Sequence, residues 1–149
     1  MKFDDASWHY EGDYPADLPE SAAATHIGMF LAWALLHGMA GEELIDDSAE
    51  ALAALQRREL TGARFLITEL DEKLIDEDLN AEGAAFALAY YVGDDHDSRY
   101  IDDYFAAFSV NEASLYSVPD TWEHYERLAP AIDARYARWV REGRPQFVV

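Results

Sequence analysis

Thirteen residues, Thr25 to His37 (THIGMFLAWALLH), constrain this chain more than any other stretch. At about 100° per residue, His26, Phe30, Trp33 and His37 line one stripe of a helix, with Met29 and Leu36 beside it. Ile27, Leu31, Ala34 and Leu35 cover most of the remaining circumference. A helix apolar nearly all round has no face to give to water, so it belongs at the centre of its domain. The rest of the chain must therefore supply elements that surround it.

Those elements are expected to be helices. Pro19, Glu20 and Ser21 open the central helix, and Gly38 and Gly41 let it exit near Met39. Ser48 is placed to cap a helix over 49–59, and Asn80 a helix over 81–92. Residues 63–70 read as helix, although Phe65, Leu66 and Ile67 also suit a short strand. Asp97 or Ser98 caps a helix running to about Phe108, buried through Tyr100, Tyr104, Phe105 and Phe108. The C-terminal segment 119–149 carries a long stripe of Trp122, Tyr125, Leu128, Ile132, Tyr136 and Trp139, and Pro130 within it is expected to bend or split the helix. Residues 1–19, with Pro15, Pro19 and Gly12, read as an ordered, extended N-terminal arm. The expectation is a single all-α domain over 1–149, a bundle of five to six helices with that arm packed on it.

The charge has a location. Of the formal −19, none belongs to residues 119–149, where five acids balance five bases; residues 1–118 carry 25 acids against 6 bases. Such a field disfavours nucleic acid and anionic membrane and favours a basic partner. The run Ile27 to Met39 is too short to span a bilayer, the amino terminus lacks the form of a signal peptide, and cysteine is absent. A cytoplasmic protein is the expectation, with its oligomeric state left open.

No catalytic motif stands out. The chain has no HExxH, no GxSxG, no phosphate-cradling glycine loop and no EF-hand loop. No catalytic residue and no cofactor is therefore assigned. Two constellations remain. The acids Asp71, Glu72, Asp76, Glu77, Asp94, Asp95, Asp97, Asp102 and Asp103 lie on several surface elements and could together meet a basic protein. Alternatively, Asp4, Asp5 and His9 from the arm could fold over His26 at the start of the central helix and make a metal or catalytic site, with Trp8 and Trp33 shaping a pocket.

The phrases KFDDASWHYEGDYPADLP and ATHIGMFLAWALLHG, continued in DEDLNAEGAAFALAYY and SLYSVPDTWEHYERLAP, resemble an uncharacterised family of small bacterial proteins of unknown function. By size and charge, though not by motif, the chain is also similar to the immunity proteins that accompany bacterial toxins. That likeness implies occlusion of a basic toxin domain by an acidic face.

Overall fold

The central helix forms as expected, as α2 (Thr25–Leu36), and every residue from Thr25 to Leu35 is buried. A computed structural model describes residues 1–94 and 98–148. A 3₁₀ turn, Glu20–Ala24, leads directly into α2, so the helix begins four residues later than its capping signals suggest. Around it lie α1 (Ala6–Tyr10), α3 (Glu42–Asp47), α4 (Ala49–Gln56), α5 (Gly62–Glu69), α6 (Ala81–Phe86), α7 (Arg99–Phe108) and α8 (Trp122–Arg141). These are more numerous and shorter than a bundle of five to six helices.

Helix α5 is the closest neighbour of α2, and two glycines make the approach possible. A Cβ on Gly28 would collide with the backbone of Ala63, and one on Gly62 with the carbonyl of Gly28. Backbone meets backbone here, which only a residue without a side chain allows. The segment that could have been a strand through Phe65 is helix, because Thr61 caps it and Phe65 and Leu66 both turn into the core.

The fold is mostly helical and not strictly all-α. Strand β1 (Lys2–Asp5) pairs antiparallel with β2 (Lys73–Ile75), in the register Lys2↔Ile75, Asp4↔Leu74 and Asp5↔Lys73. The arm is therefore not merely extended: it is a strand followed at once by α1. Two short strands far apart in sequence, joined by no hairpin, leave no local signature. A bulge between Lys2 and Asp4 interrupts the ladder. Regular alternation would bury every second residue, yet Phe3, Asp4 and Asp5 are all buried, and the irregularity accommodates this.

Asn80 caps α6 as expected, its side chain accepting from the Gly83 amide at 2.8 Å. Beyond Phe86 the backbone widens into a π-helix, Ala87–Val92, which turns the adjacent Tyr90 and Tyr91 both inward. Ser48 precedes α4 but its side chain makes no capping bond. Pro130 does not split α8, which runs unbroken through it. Cross-ties hold α8 to the body: the Trp33 indole donates to Asp133 at 2.8 Å, and Arg135 donates to Asp103, which also accepts from Tyr90 at 2.7 Å. No helix among the described residues is long and apolar enough to cross a membrane.

Candidate metal centre

Strand β1 and helix α1 place two side chains against the first turn of α2. Asp5 ends the strand and caps α1, its Oδ1 accepting from the Ser7 amide at 2.9 Å and the Ser7 hydroxyl at 2.7 Å. That cap, together with a Lys2 ammonium at 2.7 Å, occupies Asp5. It fixes the start of α1 so that His9 turns back toward Asp4 and His26. Of the four residues named from the sequence, Asp4, His9 and His26 come together, and Asp5 holds the scaffold.

The three donor atoms lie within 4.8 Å of one another. His9 Nε2 is 2.8 Å from Asp4 Oδ1, and His26 Nε2 is 3.6 Å from Asp4 Oδ2. The His9 and His26 rings meet edge to face, with centroids 4.6 Å apart. Asp4 and His26 are buried, at 8% and 1% exposure, while the His9 side chain keeps 22%. The cluster is thus interior with one partly open edge.

Two tyrosines complete it. Tyr91, turned inward by the π-helix, donates its hydroxyl to Asp4 Oδ2 at 2.5 Å. Tyr116, in the 3₁₀ turn Glu112–Ser117, lies 2.7 Å from His9 Nδ1. The protons can be followed. Burial, then the charge of Asp4, pushes the Tyr91 pKa well above its ordinary value, and the same causes bring Tyr116 up to about 12. Both are neutral donors near pH 7. The ionised Asp4 can only accept, so His9 Nε2–H donates to it, and in the neutral ring Nδ1 then accepts from the Tyr116 hydroxyl.

Burial works to raise the Asp4 pKa, but the two neighbouring imidazoles, His9 by a hydrogen bond and His26 by proximity, outweigh it and hold the carboxyl below its usual range. His26 moves the other way: burial lowers its pKa more than the neighbouring carboxylate raises it, so the ring is neutral. At 3.6 Å the His26–Asp4 contact is too long for a hydrogen bond. Both ring nitrogens of His26 are buried without a partner. A neutral imidazole with a free lone pair, a carboxylate and a second histidine are the donors that divalent transition metals take.

Trp8 and Trp33 do not shape this site. Trp8 is exposed under Lys2, and Trp33 is packed between Phe86 and Tyr136. Tyr91 and Tyr116 have no linear signal connecting them to Asp4 or His9: the partners lie 87 and 107 residues apart.

Most of the acids named for partner binding lie beside β2, in the 3₁₀ turn Asp76–Asp78 and on α7, and most of these have a local partner. Asp71 pairs with Lys73 at 2.7 Å, Asp76 with the amino terminus at 2.8 Å and Asp102 with Arg99 at 3.0 Å. Asp103 is engaged by Tyr90 and Arg135, and Glu72 is near enough to Tyr10 to raise its hydroxyl pKa. Glu77 and Asp94 are exposed, and Asp95 and Asp97, with His96 between them, lie outside the described residues.

Residues 2–118 match the family model of a domain of unknown function, DUF7832. The matched span contains all five residues of the cluster and ends before α8. Neither the curated proteins nor the solved structures contain a match to this chain.

Proposed function

We propose a metal-binding function for this chain, which belongs to the DUF7832 domain family: Asp4, His9 and His26 hold one divalent transition ion of the zinc class. One observation carries the reading. His26 is 1% exposed, and neither of its ring nitrogens has a hydrogen-bond partner, although a carboxylate stands 3.6 Å away. An orphaned polar group at that depth costs about 1–3 kcal/mol, and an ion between His26, Asp4 and His9 would supply the partner of His26 Nε2, though not of Nδ1.

Metal binding requires one proton rearrangement. His9 must present the Nε2 lone pair, so its ring proton moves to Nδ1 and is donated to Tyr116, whose oxygen accepts it. Tyr116 and Tyr91 would then orient the ligands from outside the coordination sphere, as hydrogen-bonding neighbours of ligating histidines and carboxylates do. Three protein donors leave coordination positions free for water or a small oxygen ligand, the arrangement that catalytic sites keep and purely structural zinc sites close.

Cobalt(II) titration, followed by visible absorption and back-titration with zinc, tests this. The expected result is one equivalent of cobalt with ligand-field bands in the wild type, lost in both His9→Gln and His26→Gln. His9 is partly exposed, so His9→Gln separates loss of the metal from loss of the fold, which circular dichroism checks. A wild type without ligand-field bands, or bands retained in His9→Gln, overturns the proposal.

A second reading rests on a different observation. Glu43, Asp47, Glu69, Glu77 and Asp78 line one groove of about 130 Å³ beside α3. An acidic groove suits a basic protein, and inhibition of a basic toxin domain is one form such binding takes. Of the acids singled out in the sequence only Glu77 lines it. The reading expects association with a basic protein encoded beside this chain to weaken at high salt and in Glu43→Lys and Glu77→Lys; association indifferent to both rejects it.

A further inference from the structure

A cleft of about 360 Å³ opens between the 3₁₀ turn before α2, the start of α5 and the turn Tyr116–Asp120. Its size falls within the range of small-ligand sites, about 300–1,000 Å³. Leu18, Ile67 and Val118 supply apolar walls, and Arg64 and Asp120 stand at its margin with opposite charges.

The cations of this molecule divide into paired and unpaired, and Arg64, with Arg127 and Arg141, is among those with no carboxylate partner among the described residues. Lys2, Arg99, Arg135 and Arg144 each lie within 3.0 Å of a carboxylate. Arg64 forms no ion pair and its guanidinium makes no hydrogen bond among the described residues, even though it shares a cleft with Asp120. Asp120 is half-buried. Its Oδ2 accepts from Thr61 at 2.7 Å, whereas its Oδ1 accepts nothing among the described residues. The two charges are close enough to act on each other: burial raises the Asp120 pKa, and Thr61 and the Arg64 charge restrain the rise. They nonetheless form no ion pair with each other.

We propose that this cleft binds a free α-amino acid with an apolar side chain, its carboxylate on Arg64, its ammonium on Asp120 and its side chain against Leu18, Ile67 and Val118. The gap between two unpaired, opposite charges is what a zwitterion bridges, since its own charged groups are borne by one carbon. A planar guanidinium suits a carboxylate, and a carboxylate oxygen with no other partner suits an ammonium. The apolar wall selects leucine-like over polar side chains. Neither Arg64 nor Asp120 belongs to the Asp4–His9–His26 cluster, although Tyr116, the partner of His9, also lines this cleft, and the proposal does not rest on the metal-binding reading.

Calorimetry with L-leucine, N-acetyl-L-leucine and L-leucinamide tests it, because each derivative removes one charge. L-Leucine should give a saturable heat at millimolar concentration or below. Each derivative should bind about tenfold more weakly or less, the loss of one charge-assisted contact. Arg64→Met, an exposed substitution, should abolish the preference for leucine over leucinamide while thermal unfolding stays unchanged; Asp120→Asn should abolish the preference over N-acetyl-leucine. No saturable heat with L-leucine, equal binding of all three compounds, or preferences unchanged in Arg64→Met overturns the proposal.

Discussion

At the scale of single residues, the two histidines and the carboxylate differ in what the fold has done for them. His9 is satisfied on both nitrogens, by Asp4 and Tyr116, whereas His26 is satisfied on neither. The buried carboxylates differ as well. Asp4 is held down by its histidines, so it contributes stability above about pH 4 that is lost as pH falls. Asp78 is the opposite case: burial, with the charges of Glu77, Asp76 and Glu43, raises it to about 6, although the Ile75 amide donates to it. A raised acid stabilises the fold fully below its unfolded value, near 3.8, and that contribution is lost as pH rises through about 6. Asp78→Asn, which keeps the acceptor for Ile75, should therefore unfold at higher urea than wild type at pH 7.5. The gain should be on the order of 1 kcal/mol after solvent screening, and should vanish at pH 4. Equal stabilities at pH 7.5 would show that the buried Asp78 carboxylate does not destabilise the fold.

At the scale of elements, the contact between α2 and α5 depends on missing atoms. Gly28 and Gly62 sit where each helix would drive a methyl group into the other's backbone. Gly28→Ala should cost about 3 kcal/mol or more, far beyond the small gain in helix propensity, because neither backbone can move without displacing the core. Gly38→Ala provides the contrast, since a Cβ there meets nothing and only the positive φ of 72° opposes it. Urea denaturation of both variants checks the ordering. The π-helix Ala87–Val92 works at the same scale: by bringing adjacent tyrosines inward, it ties α7 through Tyr90 to Asp103 and completes the Asp4 cluster through Tyr91.

At the scale of the whole molecule, thirty acids face eleven bases, and several of those bases are already spent on internal pairs. The surplus repels itself in the compact state more than in the unfolded chain. Raising sodium chloride from low to physiological strength should therefore raise the thermal midpoint by a few degrees, as screening shortens to about 8 Å. A midpoint that falls with salt would mean that the surface ion pairs outweigh the repulsion. The same excess gives the acidic groove beside α3 its field.

Much of this molecule is written locally. The all-round apolar run 25–37 determined that α2 is central, and Asn80 and Ser98 marked helix starts that their side chains do cap, because capping and periodicity act within a few residues. His26, His9 and Asp4 were legible as a possible group because the arm is close in sequence to the helix it covers. The β1–β2 pairing, the donors Tyr91 and Tyr116, the occupation of Asp5 by its own cap and the meeting of Arg64 with Asp120 were decided only in three dimensions. Each depends on packing between residues whose separation along the chain carries no period and no spacing rule. Only the closed core, with Gly28 against Gly62 beneath it, brings those side chains within reach of one another.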